Sequence, residues 1–165
     1  MVCDGCGKKL RRRMSSSSNP YEYKPAGLDG VRLCGVAVYA CQECNAESAA
    51  IPQVQSLHEQ IAISTIKRSG RLSGAQVRFL RKNAGISAKE FSQLLGISAS
   101  HLSRVENGKT SSLGEPTDRL VRTLTAIACT GPEIDSVLEL LRHRSSVPDR
   151  LIWVRDNDGW NSVAS

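Results

Sequence analysis

Four of the six cysteines stand in two pairs, Cys3-Asp-Gly-Cys6 and Cys41-Gln-Glu-Cys44. Each C-x-x-C pair lets two thiolates and nearby backbone N–H groups converge on one ion, and two such pairs supply the tetrahedral four-sulfur shell that zinc accepts. Gly5 and Gly7 allow the tight turn around the first thiolates at no Cβ cost. The alternatives are a disulfide or a redox C-x-x-C. Six cysteines in a chain with no export signal argue for metal instead. Four thiolates leave no open position for water or substrate, so the expected cofactor is one structural Zn2+ per chain, held by Cys3, Cys6, Cys41 and Cys44. In a region that can bury little apolar area, the ion should supply much of the folding energy. The 34 residues between Cys6 and Cys41 exceed the usual ribbon spacing of about 15–20. An inserted hairpin is therefore expected.

The second constellation is SAKEFSQLLGISASHLSRVENG, residues 87–108. It reads as two short helices with a tight turn between them. Ser87 caps the first helix, and Gly96 stands where a left-handed C-cap is needed. Ser98 caps the second, which runs from about Ala99 to Asn107 before Gly108 stops it. Phe91, Leu94 and Leu95 face one way on the first helix, as do Leu102 and Val105 on the second. Ser100, Ser103, Arg104 and Asn107 are thrown outward. An outward face of short polar groups around one Arg suits the DNA major groove, where the guanidinium fork pairs with guanine O6 and N7. The alternative is a helical hairpin with a solvated face. His101 lies on the groove side, and Lys109 just beyond the helix can meet phosphate, positioning the protein without reading sequence.

At these residues the chain resembles the Cro/C1-type helix-turn-helix of bacterial and phage repressors, strongly over Gln76 to Asn107 and less strictly to Arg142. The resemblance implies a five-helix domain whose third helix, Ala99 to Asn107, is the recognition helix. The family's Gln near the start of the second helix is replaced here by Ala88. The family also pairs an Arg late in the first helix with a Glu late in the third, here Arg81 and Glu106. Phosphate contacts are expected from Ser87, Lys89, Ser98, Ser103, Asn107 and Lys109.

The rest of the chain must carry these two sets of residues. KKLRRRMSSSSN reads as a basic, solvated loop, or as a patch that meets DNA phosphate or an acidic protein surface. Tyr21-Glu-Tyr23-Lys alternates and breaks at Pro25, as an edge strand does. Val31 to Ala40 is β-rich and apolar, with Cys34 as a small core residue. Pro52 opens a helix with Val54, Leu57, Ile61 and Thr65 on one stripe and His58 beside it. Lys67-Arg-Ser-Gly70 reads as a hinge. Ser73 caps a helix burying Val77, Leu80 and Ala84. Pro116 opens a helix with Leu120, Val121, Leu124 and Ile127, and Pro132 another with Ile134, Val137, Leu138 and Leu141; these two are a natural dimer surface or simply close the core. Cys129 reads as a buried small residue and His143 as a surface residue. The tail, with Asp156-Asn-Asp-Gly159 between Trp153 and Trp160, allows a small hairpin. The expected organisation is thus 1–66 zinc-binding, 67–72 hinge, 73–143 helix-turn-helix and 144–165 tail. The fold class is α+β: a small zinc domain with a β-hairpin and helix, then an all-α five-helix domain.

Two Cys knuckles around two strands, the second following an apolar strand as in GVAVYACQEC, then a helix, a hinge and a Cro/C1-type domain, resemble the MqsA (YgiT-type) antitoxin family. The resemblance implies a zinc domain that grips a small ribonuclease toxin and a carboxy-terminal domain that forms a homodimer on palindromic double-stranded DNA. The family's base-contacting Asn and Arg, four residues apart, fall here on Ser100 and Arg104. The chain is basic, at formal charge +6 with pI near 9.2, which permits DNA binding. No apolar run is long enough for a membrane span, and the amino terminus lacks a signal region, so a cytoplasmic protein is expected. Only three histidines occur, none in an H-x-x-x-H spacing, and there is no Ser/His/Asp grouping or phosphate loop, which argues against an enzyme. The expected function is a DNA-binding repressor, an antitoxin that regulates its own operon; the alternative is a stand-alone zinc-containing regulator without a toxin.

Overall fold

The computed structural model describes residues 1–110, 113–131, 133, 135–137, 141 and 151–164. The chain is mixed α and β and divides into two compact units. The first holds Met1–Pro25, Asp29–Leu57 and the carboxy-terminal segment from Pro148; the second holds Ala26–Leu28 and His58–Val147. The boundary in the long helix thus falls at Leu57/His58, not after residue 66, and the tail belongs with the amino-terminal residues.

The first unit is built on two sheets. Strands β1 (Leu10–Met14), β4 (Ala37–Cys41) and β5 (Glu47–Ala50) form an antiparallel sheet in the order β1-β4-β5. Strands β2 (Tyr21–Glu22), β3 (Val31–Cys34), β6 (Leu151–Arg155) and β7 (Trp160–Ala164) form a second, in the order β2-β3-β6-β7. Several expectations are corrected here. The basic run read as a solvated loop is strand β1. The single strand expected over Val31 to Ala40 is two, because Gly35 and Val36 turn the chain from one sheet to the other. Buried Ser15 fixes that crossing: its N–H donates to Val36 O (2.9 Å), its carbonyl accepts from Gly35 N (2.9 Å), and its hydroxyl accepts from Val36 N (3.1 Å).

The tail does form a hairpin, with Asp156 Oδ1 accepting from the N–H groups of Asp158 (2.9 Å) and Gly159 (3.0 Å). It is not a free appendage. β6 lies parallel to β3 in the register Val31↔Leu151 to Cys34↔Val154. An isolated hairpin is marginal in water; this one is completed by β3 and by burial of Trp153 and Trp160, whose indole N–H donates to Pro52 O at 3.2 Å.

The helices are α1 (Val54–Lys67), α2 (Gly74–Asn83), α3 (Ala88–Leu94), α4 (Ala99–Glu106) and α5 (Glu115–Thr130). α1 starts after Gln53, whose carbonyl accepts from Leu57 N, so Pro52 lies just outside it. Leu57, Ile61, Ala62, Thr65 and Ile66 are buried, but Val54 is exposed. His58 packs edge-on against Phe79 at 5.8 Å, and burial lowers its pKa. Residues 135–137 are helical; Pro132, Ile134, Leu138 and His143, and with them most of the expected fifth helix of the carboxy-terminal domain, lie outside the described residues.

The packing of α2 on α4 depends on one residue without a side chain. A Cβ on Gly74 would lie 1.9 Å from Val105 O and 2.9 Å from Val105 C. Backbone cannot yield as a flexible side chain can, and overpacking of this kind costs about 1–3 kcal/mol. Gly74→Ala is therefore expected to lower the unfolding free energy of the helical unit by that amount, read as a lower urea midpoint at unchanged slope; an unchanged midpoint would show that α2 can slide freely against α4.

Candidate metal centre and nucleic-acid interface

The two cysteine pairs meet because β1 and β4 are neighbours. The first knuckle leads into β1 through a turn in which Gly7 N donates to Cys3 O and Cys3 N to Lys8 O, both at 2.8 Å. Cys41 is the last residue of β4, placed opposite Leu10, and its N–H donates to Ala46 O at 2.9 Å around the second knuckle. All four sulfurs lie within 4.8 Å of one another. Cys3 and Cys44 are 3.5 Å apart and Cys6 and Cys41 3.4 Å. Zinc–sulfur bonds of about 2.3 Å in a tetrahedron require sulfurs about 3.8 Å apart, so the donor set fits such an ion with little movement.

The backbone around the second knuckle already favours negative sulfur. Hydrogen bonds from the N–H groups of Cys44 and Glu43 bring the Cys41 thiol down to about 6. At Cys6 the Lys8 N–H acts in the same direction, but the Cys41 thiol and burial outweigh it and push Cys6 up to about 12. Close thiols in the metal-free cluster thus compete for protons; a cation relieves that competition. Four sulfurs of this kind can hold a metal ion and leave no open coordination position. Cys34 and Cys129 stand apart: burial raises both thiols, and Cys129 accepts from Asn83 Nδ2 at 3.9 Å.

The second site is assembled by caps. Ser73 and Gln76 form a capping box at α2, with Ser73 N donating to Gln76 Oε1 (2.8 Å) and Gln76 N to Ser73 Oγ (3.3 Å). Ser87 Oγ accepts from Glu90 N (3.2 Å) and Ser98 Oγ from His101 N (3.1 Å). Between α3 and α4, Gly96 takes φ +66°, the left-handed conformation that glycine adopts without penalty. Ile97 N then closes on Ser92 O at 3.0 Å. Phe91, Leu102 and Val105 are buried. Leu94 is not: it is 49% exposed, so the inward face of α3 is carried by Phe91, Ser92 and Leu95.

Ser100, Ser103 and Arg104 are all exposed on α4, as is Asn107 at its carboxy-terminal cap, and His101 is half-buried. Asn107 closes the helix, its amide donating to Ser103 O at 2.7 Å, which fixes it beside Ser103. Lys89 is exposed on α3, and Lys109, also exposed, follows α4 with its N–H on Arg104 O at 2.8 Å. Ser87 and Ser98 each spend a hydroxyl lone pair on a cap, and a hydroxyl so used still carries a proton to donate. Arg81 is fixed behind this surface by Glu106, Nε to Oε1 at 2.7 Å and Nη2 to Oε2 at 2.9 Å, and donates to Ile86 O at 3.0 Å. The fork joins the end of α2 to the end of α4 and so fixes the exposed face of α4 from below.

A second buried pair escaped the sequence reading. Arg122 and Asp118 on α5 have side chains 2% and 4% exposed, with Nε to Oδ2 at 2.8 Å. Asp118 Oδ1 accepts from Leu72 N at 2.6 Å. The guanidinium also donates to the carbonyls of Thr65, Ile66, Arg68 (2.9 Å) and Gly70 (2.8 Å). It therefore satisfies the orphan carbonyls at the end of α1 and ties down the segment expected to hinge. On the same helix, expected either to meet a second copy or to close the core, Leu120 and Ile127 are exposed, while Val121, Thr125 and Ala126 are buried.

Residues 74–137 match the family model described as a helix-turn-helix domain. The match begins at the first residue of α2 and takes in every residue of the α3–turn–α4 surface. No curated protein and no solved structure matches the chain. The helix-turn-helix supports a DNA-binding regulator, with a four-cysteine cluster able to hold metal in the other unit. Among the described residues no helix is long and apolar enough to cross a membrane.

Proposed function

We propose that this chain is a sequence-specific transcriptional repressor of the antitoxin type, binding a palindromic operator as a homodimer in the cytoplasm. Its four-cysteine unit carries one structural zinc and grips a small ribonuclease toxin; the protein itself performs no catalysis. The observation that carries the DNA reading is the α4 surface. Arg104 stands exposed one turn after Ser100 on a helix capped at both ends and buttressed by the Arg81–Glu106 fork. In a major groove Arg104 reads guanine, Ser100 and His101 contact neighbouring bases, and Ser87, Lys89, Ser98, Ser103, Asn107 and Lys109 meet phosphates. Two copies reading half-sites one helical turn apart would account for a palindrome.

The test is a titration of operator DNA at fixed salt. Arg104→Ala should cost about 1–3 kcal/mol and relax preference at one base step, whereas Lys109→Ala should weaken all sequences alike. Unchanged operator affinity in the Arg104 variant refutes the groove assignment. Co-expression with the small reading frame beside the gene tests the toxin. Retention of a small toxic protein, with rescue of growth, supports the antitoxin reading; protection of a promoter palindrome with no partner retained leaves a stand-alone regulator.

A further inference from the structure

Two sheets give the first unit four outer strand edges, and three of them are closed to further pairing. At β1, residues 1–3 already bond along the edge, with Leu10 N donating to Met1 O and Cys3 N to Lys8 O, and the strand carries Arg11, Arg12 and Arg13. β5 carries Glu47 and is followed closely by Pro52. β2 is two residues long and runs into Lys24 and Pro25. Cover, charge, proline and shortness are the devices by which natural sheets refuse a further strand. The fourth edge, β7, has none of them. Trp160-Asn-Ser-Val-Ala164 is five residues long, without charge or proline, and among the described residues no strand lies on its outer side.

The hairpin decides which backbone groups point outward. Asp156 N donates to Gly159 O at 3.0 Å, so Gly159 turns its carbonyl toward β6. Alternation along an antiparallel ladder then turns the N–H and C=O of Asn161 and Val163 toward their partners Val154 and Ile152. Those of Trp160, Ser162 and Ala164 point away. Such a row is self-complementary. About a twofold axis at Ser162, that residue faces its own copy and Trp160 faces the second copy's Ala164, so every outward donor meets an outward acceptor.

The absence of charge points to a second copy of the chain as the occupant. A twofold contact sets the same surface against itself, and like charges directly opposite destabilise a strand pair. In a chain of net charge +6, self-pairing requires a neutral strand; a charged partner would find no complementary charge on β7. Val163, 46% exposed, would lie opposite the second copy's Asn161 and lose apolar surface to the contact.

We propose that two copies of this chain join through β7, antiparallel about Ser162, so that two four-stranded sheets become one continuous sheet. The contact rests on the homodimer reading and gives it a surface in the cysteine-bearing unit. It needs no DNA.

The test is sedimentation equilibrium of the full-length, zinc-loaded chain over a concentration series without DNA. The parent should self-associate, and Arg104→Ala should do so equally, so that failure of the operator reading shows separately. Ser162→Pro removes the N–H that the central pair needs. β6 does not use that N–H, so the edge tolerates proline there, and the near-ultraviolet signal of Trp153 and Trp160 should be kept. Loss of two backbone hydrogen bonds should weaken association about five- to a hundred-fold. Ser162→Lys sets like charges opposite each other and should weaken it about two- to five-fold, as should Ser162→Glu. An equimolar mixture of those two variants should associate more tightly than either alone. A dimer that Ser162→Pro leaves intact, or a mixture that gains nothing, overturns this contact while keeping the homodimer. A parent that is monomeric at every concentration also overturns it. If that monomer retains a co-expressed small protein which Ser162→Pro loses, the edge belongs to that partner, and pairing of two copies is refuted.

Discussion

Stripping metal from the purified chain should dissolve the sheet around the cysteine knuckles. Apparent binding energies of structural zinc in small domains are about 10–16 kcal/mol near neutral pH, as large as the whole stability of a typical domain, about 5–15 kcal/mol. The four sulfurs meet at the start of β1 and the end of β4. Without a cation, one thiol pushed up to about 12 and another brought down to about 6 are left pressed together. Chelation, or Cys41→Ser, should collapse the amide dispersion of β1, β4 and β5 in a heteronuclear spectrum, with Zn2+ restoring it after chelation only. Metal analysis should find one zinc per chain in reduced, freshly purified protein. Amide positions in β4 that survive complete removal of metal would show that the strands hold the cysteines together without it, and the structural role would be lost.

The second large effect is expected at Asp118. Its removal leaves the Arg122 guanidinium, 2% exposed, without a counter-charge. Breaking a buried pair from one side costs about 3–5 kcal/mol, so Asp118→Ala should lower the urea midpoint of the helical unit steeply with an unchanged slope. Replacing both residues by apolar ones often rescues such a pair. Here it should not. Arg122 also donates to the carbonyls of Thr65, Ile66, Arg68 and Gly70; the Ile66 carbonyl is held inside the fold, and a buried acceptor left bare costs about 1–3 kcal/mol. An Asp118→Leu, Arg122→Met double variant should therefore stay close to the single variant in stability. Full recovery would mean that water reaches those carbonyls and that the guanidinium matters only to Asp118.

Neither the charge pattern nor the spacing on α5 distinguishes Asp118–Arg122 from its neighbour. Glu115 and Arg119 repeat the same i,i+4 arrangement one turn earlier, pair at 2.5 Å, and are 60% and 68% exposed. One pair is solvated and the other closes the end of α1; only the packing of α5 against residues some fifty positions earlier decides which. The features that were legible are those with local causes. Ser73, Ser87 and Ser98 cap helices through bonds to residues three positions on, Gly96 makes its turn by its own φ, and the cysteine pairs announce themselves by spacing. Arg81–Glu106 was legible through the family pattern alone. Strand partners were not: β1 looked like a loop because cations mask its alternation, and the pairing of Val31 with Leu151 joins residues that share no local signal. Leu94 reads as inward because periodicity marks an apolar residue without showing what lies opposite it.

The parallel pairing of β6 with β3 also sets an order of events during synthesis. The helix-turn-helix lies within the first unit's sequence, between β5 and β6, so every residue of α2 to α5 leaves the ribosome before the strand that completes the four-stranded sheet. Domains generally fold amino-terminal first as they are made. In this chain the amino-terminal unit must wait, with β3 lacking its central neighbour and its edge open, until translation has reached Leu151. The nascent protein thus acquires its helix-turn-helix first and its finished amino-terminal unit last.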